Sequence, residues 1–545
     1  MSAKNNPVSR ILRLLKLEKA EISGIYFHAI LNGLIQLSLP VGVQAIIGFV
    51  LGGAMSTSLV VLITLVVLGV LFSGMLQIGQ MQLIEKVQQK IFVRYSLNLA
   101  DRIPKIDLKA ADDYYLPELM NRFFEVPTLQ KSLAKLLLDI PTATIQILFG
   151  LILLSFYHPA FILFGSMLVL TLWLILYYSG NRGLSTSLDE SMYKYKVASW
   201  LEEMARLVKT FKFSKGSSLN LEKADEFTTS YLIARNQHFN ILQFQYKILV
   251  GFKVLITASM LIVGSVLLVN QQLNIGQFIA AEIVIITVIN SVEKLIGNLD
   301  SVYDVLTSVE KIGKIADQPI EADGNMEFPT QQQGIAVQMQ QVSFGYTDNT
   351  IELSGLSMSI TPGQKVCISG GESKGKSTIL KLLTGAYTNY TGSIMINGLP
   401  IGNYNLDSMR SKIGIMLDQQ GVFNGTIWEN ISMGNPHIHH EQVILLFEMT
   451  GLQDYLAAQK KGLNTVLSTA GNRLSERVLR KILLIRALAG NPKMLLLEEP
   501  WLGLEEHQKR SIQQYLLNAL PDTTVLVVSN DKEFASKCDQ VIEIV

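Results

Sequence analysis

Three things are scarce in this chain. Two cysteines in 545 residues, Cys367 and Cys538, cannot supply a disulfide framework. Charged side chains make up 17% of the residues, against roughly 25% in an ordinary soluble protein. The formal net charge is only +1, which excludes a strongly basic nucleic-acid binder, so no nucleic-acid partner is expected. What is plentiful is apolar: 49% of residues are hydrophobic and the mean hydropathy is +0.30. Such a chain is either a large soluble protein with a generous core or one that lives partly in lipid. Position along the sequence decides between them.

The apolar excess lies in the first ~300 residues, in runs that each reach the ~20 residues a membrane-crossing helix needs. They read Glu21–Val50, Ser58–Gln80, Leu133–Tyr157, Pro159–Ser179, Ile248–Val269 and Ile275–Leu295. A buried helix of a soluble domain shows a polar stripe; Ser58–Leu76 shows none. We therefore expect an all-α transmembrane domain over residues 20–311, with the lipid bilayer as its solvent. Residues 1–19 read as a basic amphipathic arm, with Ile11, Leu14 and Leu15 set against Arg10, Arg13 and Lys16. The first run is too long for a signal-peptide core and lacks a small-residue cleavage pattern, so it reads as a span.

Lysine and arginine set the orientation. The connections after spans one, three and five contain neither residue. Those after spans two and four are long, helical in pattern and basic, with Lys86, Lys90 and Arg94 in one and Lys194, Lys196 and Arg206 in the other. Both termini are thus expected on the cytoplasmic side. Inside the spans, Glu282 either lines a substrate path or pairs with a neighbouring helix. Asn290 lies two turns further on. His28 and Lys253 sit near inner ends, where snorkelling accounts for them.

After Lys311 the pattern changes. Residues 312–334 read as a polar linker, and residues 335–545 alternate short apolar runs with helical segments, as an α/β domain does. Gln364–Gly370 reads as a buried strand. It runs into a loop of Gly370, Gly371, Glu372, Ser373, Lys374 and Gly375, and then into a helix opened by Lys376, Ser377 and Thr378. This is GxxxxGK[ST] in strand, loop, helix context. Backbone amides at the helix start bind phosphate, the lysine reaches the outer phosphates, and the serine hydroxyl suits Mg²⁺. The cofactors implied are ATP and Mg²⁺. About 120 residues on, Lys493–Pro500 is a second buried strand ending in Glu498 and Glu499. Behind a P-loop, the first acid suits the metal shell and the second polarises the attacking water.

Six spans followed by these motifs resemble an ABC exporter half-transporter over nearly the whole chain. Val342–Tyr346, the runs TGSIMINGLPI and FNGTIWENI, and Arg486–Leu488 before the acidic strand fall in that family's order. The resemblance implies a type I exporter fold, in which a six-helix transmembrane domain precedes an α/β P-loop NTPase domain. That second domain would carry a small antiparallel β subdomain and a helical subdomain. It also implies that Tyr346 stacks on adenine and that the tips of the inner connections dock on nucleotide domains. The text of the first two spans is loosely similar to type I secretion exporters, which favours a peptide or protein cargo and admits a membrane-fusion adaptor as partner. No peptidase domain precedes the spans, which argues against a processing peptide exporter.

The departures from the family are as informative. Its signature LSGGQ is LSERV here, so Leu474, Ser475 and Arg477 would face a partner's ATP together with Glu476, whose bulk and charge oppose a phosphate. Arg477 offsets part of that charge if it reaches the phosphates. The metal-linking glutamine aligns with Asp418, and Gln419 beside it could substitute. The metal-shell aspartate is Glu498, still a hard oxygen ligand. Glu499 is retained as the candidate catalytic base. The switch histidine is Asn530, which can hydrogen-bond a phosphate but cannot carry a proton. Trp501 replaces a small polar residue. Together these changes predict slow hydrolysis and a heterodimer, in which a second ABC half-transporter supplies a sound signature.

Overall fold

A computed structural model describes residues 7–52, 57–112, 115–214, 216, 218–329, 333–346, 352–371, 374–467 and 474–544. Contacts divide the chain into two compact units, Met1–Pro104 with Tyr114–Gln318 and Lys105–Asp113 with Pro319–Val545. The short segment Lys105–Asp113, expected within the transmembrane domain, therefore belongs to the second unit. There the amide of Asp107 donates to Pro319 O at 3.0 Å and that of Glu321 to Lys105 O at 2.9 Å.

The first unit is built of helices and connecting turns, with no strand among its described residues. Its arm is α1 (Pro7–Leu17), which buries Leu14, while Arg10 pairs with Asp317. The first span is two helices, α2 (Lys19–Gln36) and α3 (Ser38–Leu51), parted at Leu37. Pro40 explains the break: it has no N–H for the carbonyl four residues back, and its ring clashes there. Next come α4 (Thr57–Arg102), α5 (Leu108–Asp112) in the second unit, α6 (Leu116–Met120) and α7 (Glu125–Tyr157). The rest are α8 (Ile162–Arg206), α9 (Val208–Phe213), α10 (Leu219–Val269), α11 (Ile275–Gly297) and α12 (Leu299–Ala316). Among the described residues, six helical stretches are long and apolar enough to cross a membrane. The 46 residues of α4 extend ~69 Å, more than twice the ~30 Å hydrocarbon core, so spans and inner connections are continuous rods. The last of them runs to Ala316, so the segment read as linker from residue 312 begins inside a helix.

Packing in this unit uses small residues and satisfied polar groups, as lipid demands. A Cβ on Gly183 would lie 2.2 Å from the Tyr303 ring, so only glycine lets that tyrosine seat against α8. Pro141 inside α7 frees the carbonyl of Leu137, and the buried Gln80 amide of α4 donates to it at 3.5 Å. Around the break at Leu37 runs a chain of neutral groups. Ser73 donates to Asn32 at 2.5 Å, Gln36 to Ser73 at 3.4 Å, Gln146 to Gln36, and Ser291 to Gln146 at 2.8 Å. It lies beside a cavity of about 260 Å³ that Gln36, Ser73 and Gln146 help to line. Lys253 does not snorkel: its ammonium pairs with Glu293 of α11. His28 Nδ1 donates to Gly24 O at 2.8 Å, and the ring packs on Gly79 of α4.

The second unit holds eleven strands among its described residues. β1 (Val337–Phe344), β2 (Leu353–Ile360), β4 (Thr391–Ile396) and β5 (Leu399–Pro400) form an antiparallel sheet in the order β2-β1-β4-β5. β3 (Lys365–Gly370), β6 (Ile413–Met416), β9 (Met494–Glu498), β10 (Thr524–Val528) and β11 (Gln540–Ile544) form a parallel sheet ordered β11-β3-β10-β9-β6. β7 (Gly425–Thr426) and β8 (Val466–Leu467) pair near the helices Ile427–Ser432, His440–Thr450 and Glu476–Leu488. β9 and β10 are unbroken apolar runs because both faces of a parallel sheet are covered. Register does the rest. Val528 lies opposite both Ile368 and Glu498, so the carboxyl ends of β3, β10 and β9 open into one crevice, where open α/β sheets bind ligands.

Candidate functional site

The P-loop leaves β3 through Gly370, whose φ of +148° only glycine adopts comfortably; a Cβ there would meet Ile544 O at 2.3 Å. It enters the helix Lys376–Leu383 through Gly375 at φ +77°, where a Cβ would meet Glu352 O at 2.5 Å. The loop is thus held tight by neighbouring backbone, with the helix N-terminus turned to it. Lys376 Nζ donates to Gly370 O at 2.9 Å and to Gly371 O at 2.5 Å. Glu372 and Ser373 lie outside the described residues. Thr378 is buried, and its hydroxyl meets the Tyr346 phenol at 3.2 Å. Tyr346 is further seated by Phe344 and Tyr387, at centroid distances of 5.0 and 5.6 Å, with Lys381 5.3 Å from its ring centre. The aromatic residue expected to meet adenine therefore stands over the first turns of the P-loop helix.

The acidic end of β9 comes to the same place. The Ser377 hydroxyl donates to Glu498 Oε1, and the amide of Asp418 donates to Glu498 Oε2 at 3.0 Å. Ser377 and Glu498 are hard oxygen donors already within reach of each other, which fits a shared Mg²⁺. Glu499 follows with φ +40°, a strained conformation for a non-glycine residue. Its amide donates to Val528 O at 2.9 Å, and its carboxylate accepts from Ser529 at 3.1 Å. Burial pushes the Glu499 carboxyl up, the direction that suits a general base. Asn530, exposed, accepts from the amide of Gly370 at 3.2 Å, tying the switch position to the P-loop backbone.

The signature end is organised differently. Asp418 does not turn its carboxylate to the Ser377–Glu498 pair. It accepts from Arg480 at 2.7 Å, and the same guanidinium reaches Glu476 at 3.3 Å. Arg480 thus joins two of the departures from the family pattern through one cation. Gln419 is exposed and makes no side-chain hydrogen bond among the described residues. Ser475 caps its own helix, accepting from the amide of Val478 at 3.3 Å. Leu474 packs partly on the neighbouring core, and the exposed Arg477 lies over Gly503, whose Cβ would sit 3.2 Å from Arg477 Cα. Leu474, Ser475 and Arg477 are thus presented on the domain surface rather than gathered at its own P-loop.

Trp501 is buried 5.0 Å from the Phe534 ring centre, and its Nε1 finds no partner among the described residues. Arg480 and Ser529 were missed by the sequence reading. Arg480 could have been found, being four residues past Glu476 on a helix; Ser529 carried no signal. Burial raises the Cys367 thiol to about 11 and Cys538 to about 12, so both are inert as nucleophiles. Glu282 is half-buried and has no hydrogen-bond or ion-pair partner among the described residues.

Comparison with known proteins agrees with this geometry. Residues 353–502 match the ABC transporter family and residues 23–292 the ABC transporter transmembrane region. An ATP-dependent lipid A-core flippase of Saccharophagus degradans is 30% identical over 258 residues, 47% of this chain and 42% of that protein. The alpha-hemolysin translocation ATP-binding protein HlyB of Escherichia coli is 27% identical over 272 residues, 50% of this chain and 38% of that protein. Each match spans less than half of the relative's length. A bacterial Atm1-family ABC exporter solved with ATP bound superposes with a TM-score of 0.84 at 19% identity, covering 97% of this chain and 93% of that one. The chain belongs to the ABC transporter family and has half-transporter architecture, a multi-pass membrane domain joined to a cytoplasmic nucleotide-binding domain.

Proposed function

We propose that the chain is an ATP-driven export subunit of the bacterial inner membrane that works as a heterodimer with a second ABC half-transporter. The observation that carries this is the crevice in which Lys376, Ser377, Glu498 and Glu499 converge at the carboxyl ends of three strands, in a chain with six spans. Ser377 and Glu498 would hold Mg²⁺, which when bound supplies charge neutralisation at the phosphates. Gly371, Lys374 and Gly375 would offer backbone amides, Gly370 holding the loop through its amide to Asn530, while Lys376 would meet the outer phosphates and Tyr346 the adenine. Glu499 takes the proton of the attacking water, and Asn530 positions the loop it bonds. The residue linking metal to the spans is Gln419 if it turns inward, because the Asp418 carboxylate is held by Arg480.

Slow or partner-dependent hydrolysis follows from the signature end. Glu476 replaces a glycine that must approach a phosphate closely, and a partner with a sound signature would leave one working site, built on this chain's P-loop. The basic inner connections support a cytoplasmic position for both termini, and a membrane-fusion adaptor is an admissible further partner. The cargo class we favour is amphipathic with a cationic group, supported by the unpartnered Glu282; the named relatives are a lipid A-core flippase and an alpha-hemolysin translocation protein. A second reading, a weakly hydrolysing regulatory subunit, is favoured by the capture of Asp418 by Arg480. Vanadate-sensitive ATPase of the purified chain tests the proposal, and brisk turnover by the chain alone would sink the heterodimer. Glu499→Gln in the reconstituted pair separates the two readings: transport collapses under the first and barely changes under the second.

A further inference from the structure

In the first unit, the inner ends of α6, α8, α10 and α12 line an open cavity of about 470 Å³, within the range of small-molecule sites. Five cations line it: Arg122, Lys196, Lys223, Lys311 and Lys314. The lining acids are Glu118, already paired with Arg122 at 3.5 Å, and Glu203, paired with Arg206 at 3.8 Å. Lys196, Lys223, Lys311 and Lys314 therefore have no carboxylate partner among the described residues. Lys311 is the telling member. It is only 6% exposed and makes no hydrogen bond or ion pair among the described residues; the Tyr195 ring centre lies 5.6 Å from its ammonium. The neighbouring carboxylate of Glu125 is already committed to Lys194, Tyr195 and Ser308, at 2.7, 2.8 and 2.9 Å. Arg122 Nε is likewise buried without a partner.

Lys311 holds its ammonium on a largely buried side chain with no carboxylate in ion-pair reach, which is costly, and that cost falls when an anion fills the cavity beside it. Aromatic rings steady the cations without neutralising them: Arg122 stands 5.7 Å from the Tyr195 ring centre and Lys223 5.0 Å from that of Trp200. We infer that this cavity is a binding site for a soluble, multiply charged phosphate-bearing anion, separate from the nucleotide site and suited to regulation of the transporter. A lipid headgroup is the other source of such a phosphate, and position argues against it. On the continuous α8, Tyr195 lies sixteen residues past Ser179, where the apolar span ends. That is ~24 Å along the helix, whereas the headgroup layer extends roughly 5–8 Å beyond the hydrocarbon.

Inorganic tripolyphosphate titrated calorimetrically into the full chain in neutral-lipid nanodiscs provides the test, because it carries the charge without a base. The expected result is two sites per chain: one removed by Lys376→Ala, the other untouched by that change. Lys311→Met should abolish the second site. The triple variant Lys196→Gln, Lys223→Gln and Lys314→Gln alters only exposed side chains, so it keeps the fold, and should weaken that site about tenfold or more. Loss of all binding in Lys376→Ala, or undiminished second-site binding in both cavity variants, overturns the proposal. Suppression of the second site by anionic lipid in the nanodisc would overturn the soluble source and assign the cavity to a headgroup.

Discussion

The two ends of the nucleotide domain that an ABC dimer must bring face to face are built on different principles. At the P-loop end, glycine geometry, a helix N-terminus, one lysine and paired acids converge, the acids accepting hydrogen bonds from Ser377, the Asp418 amide and Ser529. At the signature end, the residues that should be bare and glycine-rich are charged, and an Arg480 bridge to Asp418 and Glu476 ties the helix to the metal-linking loop. The acids of that bridge are largely exposed, so its contribution to stability is small, on the order of 0–1 kcal/mol per pair. Its consequence is positional. The first is the end proposed above to receive a nucleotide; the second is tied to its own domain through Arg480.

The largest effect should come from the sound end. Glu499→Gln is expected to lower ATP turnover by about 100-fold or more, measured in the assembled transporter, while nucleotide binding persists. Unimpaired hydrolysis would mean that the crevice is not the working site. The converse change repairs the other end. Glu476→Gly combined with Asp418→Gln should raise turnover of the chain alone about tenfold, or ~1.4 kcal/mol in the barrier. An unchanged rate would show that the two ends are not unequal in the way described.

Acidity offers a subtler contrast. Burial holds the Glu499 carboxyl above the ordinary carboxylate range, so the acid limb of the turnover profile should lie above that range as well. The sign carries over to stability: an acid whose folded value is raised favours the folded state at low pH, and that contribution is lost as pH rises through it. Glu499→Gln should therefore unfold at a slightly higher temperature than the parent at neutral pH, and no gain would deny the burial cost. Smallest of all, Arg480→Ala should change turnover by about threefold or less, since it removes only exposed ion pairs.

Much of this was open to inspection before any coordinates. The strand, loop and helix around Lys376, the acids ending β9 and the apolar spans each carry their own local pattern, of glycine spacing, unbroken apolar runs or length. What escaped was long-range partnership. Nothing local says that Arg480 meets Asp418 across 62 positions, that Lys253 finds Glu293 instead of the interface, or that Asn530 bonds the Gly370 amide. The boundary near residue 312 was misplaced for a related reason. Charged residues already enter from Glu293 on while the helix continues to Ala316, so polarity alone did not mark where it ends.

The Gln80 amide that donates to Leu137 O acts as a prosthesis for the N–H that Pro141 lacks. Two residues on different helices are thereby bound into an order-dependent pair. Exchanging Gln80 first strands a carbonyl, while exchanging Pro141 first strands an amide, so either single step passes through a less stable protein. Only a joint change of both crosses that valley without loss, and the proline in α7 is protected from drift by the route rather than by the destination.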